Sequence, residues 1–386
     1  MSGLAPVTIR IVDQPGGNLL PPTLINCYSA LSIPAYRRAI SVLADNLASF
    51  PIGIRKDGAK ATHPLNTLLK RRPNAMQNPF VFWRTLFFHA AHTGNGYARI
   101  ERSAMNFKPV ALWNLLPEDV IAFRFDPGDG SGLGQYYFHK PAQIAYAAAD
   151  IIHLQQLGYD GQCGFDPVQL HERTLQRAAT IEKYQTQYLR KGTVIRGSVE
   201  IPGSLTTEQM NQIRAELRKF TGSEGEQDVL ILSDAAKFNN STTSPQASQL
   251  MEQVAATTKQ IAQITGVPPE FLFELTEAKY NASIEQAGQN IVRYTFRPWI
   301  EMAEAELTMK LLTDAEQDQG LTVHINPDAL LRGDTQTQVN TVVATTNAGL
   351  TTRNEGRDRL GLPPDPDPES NKLKTLGDAT PKPPAE

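Results

Sequence analysis

The chain has 386 residues, 40% hydrophobic and 20% charged, enough to bury a large core and to divide into two or three domains. Its 37 lysines and arginines face 40 aspartates and glutamates, a formal net charge of −3, which argues against a protein that grips DNA by neutralising phosphates. Two cysteines, Cys27 and Cys163, make neither a disulfide framework nor a zinc pattern and fit a reducing compartment.

The N-terminus, "MSGLAPVTIRIVDQPGG", lacks a basic start followed by an apolar run, so no signal peptide is expected. Residues 1–33, rich in proline and glycine, read as an extended arm. The spacing of Tyr36, Ile40, Leu43, Leu47 and Phe50 predicts a helix over 34–50, closed by Pro51. Helices follow at "PLNTLLKRR" and "FVFWRTLFFHAAH"; the latter is too short, and too interrupted by Arg84, to span a membrane. From Gly94 the pattern turns to strands: "GYARIER", "VALWNLL", "VIAFRF", "QYYFHK" and "IIHLQQ". Residues 34–157 thus read as one α+β domain.

A long helix over 167–190 carries Leu175, Ala178, Ile181, Tyr184 and Tyr188 on one side. "TVIRGSVEIPG" reads as strand, Thr206 and Gln209 form a capping box opening the helix "TEQMNQIRAELRKF", and "DVLIL" is a strand again. Ser244-Pro245 starts a second long helix, 246–265, with the stripe Leu250, Val254, Thr257, Ile261 and Ile264. A small β-α-β module (193–243) is therefore inserted between two rods. In "KQIAQITGVPPEFLF" the second rod runs into Gly266, a left-handed cap, and a double proline that stops it. A third long helix (283–312) contains Pro298, which removes the hydrogen bond to the Tyr294 carbonyl and predicts a kink. "LTVHINP" is a strand, 335–348 a helix capped by Asp334 and Gly349, and Thr352 with Glu355 a second capping box. From Pro363 the proline-rich, charged tail is expected to be disordered.

Catalytic patterns are missing. There is no G-x-x-x-x-G-K-[ST], G-x-S-x-G or H-E-x-x-H. "GDGSGLG" (128–134) lies between strands and reads as a hairpin tip rather than a nucleotide site. His89 and His92 share one face of an apolar helix and read as core or polar-edge histidines, since further metal ligands cannot be placed. Arg71-Arg72 reads as an exposed helix end, and Glu301, Glu304 and Glu306 as a solvated face. No catalytic residue, metal or cofactor is expected.

Several segments occur in a telling order: "THPLNTLLKRRPN" (62–74), "TGNGYARI" (93–100), "DIIHL" (150–154), "GFDPV" (164–168), "IAQITGVPPEFL" (261–272), "NASIEQ" (281–286), "RPWIEMAEAELTMKLL" (297–312) and "GLTTRNEGRDRLGLPP" (349–364). Taken together over roughly 34–364, the set resembles the bacteriophage portal proteins of the Hong Kong 97 type. The resemblance implies an α+β portal fold with wing, stem, clip and crown, assembled as a ring, usually a dodecamer, around a central channel at one capsid vertex. Double-stranded DNA would be packaged and ejected through that channel, in a virion assembled in the host bacterial cytoplasm. Partners would be further copies of the chain, the terminase, the head–tail adaptor and the major capsid protein, with no membrane.

Carried onto this chain, 1–33 is an arm, 34–157 the wing, 158–192 and 244–269 the stem helices and 193–243 the clip. Residues 270–283 form the tunnel loop, 284–328 the kinked helix and a wing strand, 329–362 the crown and 363–386 the tail. Glu274, Glu277, Lys279, Tyr280 and Asn281 would face DNA in the channel; Glu208, Arg214, Arg218 and Lys219 of the clip would meet terminase or adaptor. The mixed charge of the loop suits a surface past which DNA slides, because a strongly basic loop would hold phosphate. A rigid proline stop would set the loop identically in every subunit. "RKGTVIRGSVEIPG" is a loose match to the usual stem-to-clip junction, which leaves the clip boundary open. Alternatives are a capsid-associated adaptor ring, the portal of a gene transfer agent or prophage remnant, and, against the missing phosphate loop, a DNA-packaging enzyme.

Overall fold

The computed structural model describes residues 25–126, 133–191, 197–200, 206–208, 211, 237–240, 247–272, 288–327, 335–360 and 362–373. They fall into two compact units, Met1–Glu172 with Thr258–Glu386, and Arg173–Thr257.

The larger unit opens with α1 (Cys27–Ala30), where the Asn26 and Ser29 side chains each accept the other's backbone N–H. Ile25, Ala30 and Ile33 are buried, so the end of the expected extended arm is instead a docked helical turn. Next comes α2 (Pro34–Ser49), which starts on proline and buries Tyr36, Ile40, Leu43 and Leu47. β1 (Ile52–Lys56), β2 (Ala59–Lys60) and α3 (Leu65–Lys70) lead to α4 (Pro79–Thr93), whose Asn78 side chain caps Val81 N–H. The apolar face of α2 packs on α4.

Six strands follow: β3 (Asn95–Arg102), β4 (Pro109–Leu115), β5 (Val120–Phe125), β6 (Gly134–His139), β7 (Ile144–Ala147) and β8 (Ile151–Gln155). They form two antiparallel sheets, ordered β4-β3-β8 and β5-β6-β7. Phe125 pairs with Gly134, so β5 and β6 are antiparallel neighbours; residues 127–132, most of the glycine-rich segment read as a hairpin tip, lie outside the described residues. Tyr97, Leu115, Val120, Ala122, Tyr137 and Ile151 make a core shared by the two sheets.

The helix expected over 167–190 is broken. α5 (Pro167–Leu170) is capped by the Asp166 side chain and ends at His171, whose φ of −112° and ψ of 23° leave helical geometry. α6 (Glu172–Lys191) then carries the chain into the smaller unit. There β9 (Gly197–Glu200) pairs antiparallel with β10 (Lys237–Asn240), a strand the sequence pattern did not suggest. Residues 207–208 and 211 are helical, as the Thr206 cap predicts; the strand expected at "DVLIL" lies outside the described residues. α7 (Ala247–Thr265) closes this unit and enters the larger one at Thr258.

Back in the larger unit, a 3-10 turn (Pro269–Leu272) follows the left-handed Gly266, φ 68°. After residues 288–290 the helix is π-helical over Ile291–Phe296, then α8 runs over Arg297–Leu311. Pro298 sits in the first turn of α8, and Arg297 N–H reaches back five residues to the Val292 carbonyl. The wider π turns avoid the clash between a proline ring and the carbonyl four residues earlier. The expected disturbance at Pro298 therefore takes the form of a switch in helix type.

α9 (Asp314–Asp318) precedes β11 (Leu321–Ile325), which pairs with β1 from Ile52↔Ile325 to Lys56↔Leu321, giving the sheet β11-β1-β2. α10 (Thr335–Asn347) ends at the left-handed Gly349. α11 (Arg353–Arg359) opens with the expected capping box between Thr352 and Glu355.

The tail departs from the expectation of disorder over 362–373. The Asn354 side chain donates to Asp365 O and accepts from Asp365 N, Arg357 donates to Pro363 O, and Ser370 is fully buried in a 3-10 turn (Pro368–Asn371). Capped carboxylates and prolines hold this segment in place of an apolar core, which composition alone does not reveal.

Candidate functional site

The loop that carries Glu274, Glu277, Lys279, Tyr280 and Asn281 lies outside the described residues, but both of its ends are described. On the entry side Val267 is fully buried, Leu272 is buried, and Phe271 N–H closes a turn on Pro268 O at 3.0 Å. Arg38 of α2 donates to Phe271 O at 3.3 Å. On the return side Ile291, Val292, Thr295 and Phe296 are buried, with Phe296 edge-on to Phe50 at 5.7 Å. Thr295 Oγ1 donates to Gly266 O at 2.6 Å, so entry and return are tied to each other. The helix-stop reading of "ITGVPPEFL" is thus realised as a clamped base. Of the clip residues, Glu208 is helical and exposed; Arg214, Arg218 and Lys219 lie outside the described residues.

The reading of Glu301, Glu304 and Glu306 as one solvated face is corrected. Glu301 is exposed and pairs with Arg297 at 2.7 Å. Glu304 accepts from Ile325 N at 2.6 Å and contacts His324 Nδ1 at 2.8 Å. Glu306 accepts from His153 N at 2.9 Å, and burial pushes its carboxyl up from the usual carboxylate range. Thr308 Oγ1 takes Val323 N–H at 3.0 Å, and Lys310 donates to Ala148 O at 2.6 Å. α8 thus lies between β11 and β8 and satisfies edge groups that no strand covers. Residues two apart on a helix point to different sides, so Glu304 and Glu306 serve different sheets.

A second polar cluster sits where β8 meets the 158–166 loop. Asn95 Oδ1 accepts from Gly164 N at 2.7 Å and from His153 Nε2 at 3.0 Å, while Asn95 Nδ2 donates to Gly164 O at 2.9 Å. With Nε2 donating, His153 Nδ1 accepts from the Tyr137 hydroxyl at 3.1 Å. Burial and the nearby Lys310 lower the His153 pKa to about 3, so the ring is neutral. The glycines of "TGNGYARI" belong to this packing: Gly94 has φ 78°, and a Cβ there would overlap the Phe165 carbonyl. A side chain at Gly96 would run into the Leu86 carbonyl of α4.

His89 and His92 are buried, as their position on an apolar helix suggests. Burial and His92 lower the His89 pKa to about 4; burial lowers that of His92, which donates from Nε2 to Cys27 O at 2.9 Å and accepts at Nδ1 from Tyr36. Arg71 and Arg72 are exposed at the end of α3. Among the described residues no group of His, Cys, Asp or Glu is placed to hold a metal ion, and no helix is long and apolar enough to cross a membrane.

The described structure is thus an α+β body with a clamped loop base and a second unit that the chain enters on α6 and leaves on α7. A family model described as "Phage portal protein" matches residues 34–361, and the chain belongs to that family, whose members are structural rather than catalytic. The portal protein of Enterobacteria phage HK97 is 23% identical over 355 residues, 89% of this chain and 81% of that protein. A solved portal protein of the HK97 family from Corynebacterium diphtheriae has a TM-score of 0.60 at 16% identity, covering 82% of this chain and 99% of its own. A chain in the neck of a native gene transfer agent particle, computed with C12 symmetry, has a TM-score of 0.58 at 21% identity, covering 92% and 99%. The portal fold therefore spans most of the chain.

Proposed function

We propose that this chain is the subunit of a portal ring, twelve copies around a channel at one capsid vertex, through which double-stranded DNA enters and leaves. The family match across 34–361 carries this reading. In it, 34–157 is the wing, the helices of 158–192 and 244–269 are the stem, 193–243 is the clip that meets terminase and then adaptor, and 329–362 is the crown. The chain has no catalytic role of its own and works in the particle.

Residues 270–283 are the tunnel loop, and the clamped base supports this assignment because a loop fixed at both ends projects the same way from each subunit. Lys279 offers passing phosphates a transient contact, while Glu274 and Glu277 shorten its dwell time. Negative-stain imaging of the purified chain should show rings with a central hole; monomers alone, across concentration and salt and with capsid protein added, would overturn the reading. Replacing Lys279 and Tyr280 together by alanine should leave rings intact and reduce packaged DNA. Full-length packaging at the normal rate would remove the loop from this role.

A further inference from the structure

The hairpin between β3 and β4 ends in an apolar knob that is exposed among the described residues. Met105 is 94% exposed, Phe107 75% and Val110 53%. The tip is ordered: Ser103 N–H bonds Lys108 O, and Phe107 N–H bonds Ser103 O, each at 2.9 Å. Phe107 has φ 54°, a conformation in which a bulky side chain is disfavoured and glycine or asparagine is the usual occupant. A strained backbone that displays an aromatic ring to water is a cost to the lone subunit, and such outliers concentrate where something is bound.

At the other end of the same unit lies an open cavity of about 400 Å³, where Leu157, Trp299 and Met302 share the lining with the polar Gln155, Gln156 and Gln263. This is room for an aromatic ring with a methionine beside it. The loop at its rim exposes Leu157 (83%) and Tyr159 (88%), with Leu170 (62%) just beyond. Knob and cavity cannot meet within one subunit. The knob stands at the Arg102 end of β3, where Arg102 bonds Phe107 O and Lys310 O. The cavity is at the Asn95 end, where Gln155 pairs with Asn95. Seven residues of strand separate the two ends by about 23 Å.

We infer that the Met105–Phe107 hairpin tip of one subunit seats in the Leu157–Trp299 cavity of its neighbour. The inference rests on the ring reading above and names one of its contacts. Two different surfaces at opposite ends of a subunit give a head-to-tail contact, the kind that closes into rings. Three large apolar side chains on each face supply on the order of 400 Å² per partner, about half of the roughly 800 Å² a stable interface uses.

The test uses the full chain and two variants. Phe107→Gly removes the ring and relieves the left-handed strain. Mass photometry should show the concentration for half-assembly rising at least about tenfold, while the melting temperature of the unassembled subunit holds or rises. A merely structural phenylalanine would lower the melting temperature of the unassembled subunit on removal. Phe107→Cys with Leu157→Cys should give a ladder of disulfide-linked multimers under oxidation that neither single variant shows. Both results are required. Wild-type rings combined with unimpaired assembly of Phe107→Gly, or with no ladder, overturn the inference and leave the ring reading standing. A wild-type chain that never forms rings overturns both.

Discussion

Acidification should destabilise the larger unit, and two buried histidines set the size of the effect. His153 stays neutral in the folded chain down to about pH 3 and His89 down to about 4, whereas both take a proton near 6.5 once unfolded. A folded pKa below the unfolded value means that stability is fully present above 6.5 and lost as pH falls toward the folded value. At about pH 4.5 protonation of each of these two histidines favours the unfolded chain by roughly 2–3 kcal/mol. Glu306 and Asp166 act in the opposite sense: burial raises their pKa values, so each favours the folded state as pH falls. His92, whose pKa burial also lowers, adds to the fall, so the contribution of any one histidine must be isolated by substitution.

Trp83, Trp113 and Trp299 are the chain's three tryptophans and all belong to the larger unit, so their fluorescence in urea follows that unit alone. His153→Gln should lower stability at pH 7.5, because the Tyr137 and Asn95 contacts are lost. It should also reduce the stability difference between pH 7.5 and about 4.5 by roughly 2–3 kcal/mol relative to wild type. An unchanged pH difference would refute the assignment of His153 as the neutral, buried group that resists protonation.

Glu306→Gln keeps an acceptor for His153 N–H and removes a buried charge, so urea unfolding at pH 7 should show equal or greater stability. Glu306→Ala leaves that N–H unpaired and should cost about 1–3 kcal/mol in the same assay. Pro298→Ala supplies the missing N–H and should convert the π turns before it to α-helix, read as slowed hydrogen exchange over 294–302; unchanged exchange would mean the proline does not cause the switch. Asn354→Ala removes the bonds that hold 362–373 on α11 and should speed limited proteolysis there several-fold, with the tryptophan-detected transition unmoved.

The sequence carried its helices well because each has a one-sided stripe with caps at the ends: Tyr36 to Leu47 on α2, Thr352 with Glu355 before α11. It carried β1 poorly. "IGIRK" is five residues with a glycine inside, directly after a proline, and its partner β11 lies more than two hundred residues further on. Nothing local marks such a pairing. Glu304 and Glu306 were misread for a related reason. A carboxylate that terminates a sheet edge has the same spelling as one in water, and only the three-dimensional position of the strand ends tells them apart. The loop base was legible because proline and glycine have backbone consequences wherever they occur. Its clamp, Thr295 on Gly266, joins residues separated by the whole loop and was not.

The treatment of strand edges bears on how copies of the chain can meet. α8 seals β8 and β11, and on the far side of the β4-β3-β8 sheet the 73–74 segment does the same for β4. Leu112 N–H donates to Pro73 O at 2.8 Å, and Asn74 donates to Leu112 O at 2.8 Å. The remaining edge of the β1 sheet is β2, two exposed residues long. Open edges would let copies add to one another strand by strand, in indefinite number, because backbone pairing carries little specificity. On these two sheets the closed edges leave side chains as the means of association, and side-chain surfaces can fix both partner and angle. A fixed angle is what turns head-to-tail contacts into a closed ring instead of an open filament. The glutamates of α8 therefore serve assembly by what they prevent, while the exposed apolar residues at the two ends of the sheet are free to direct it.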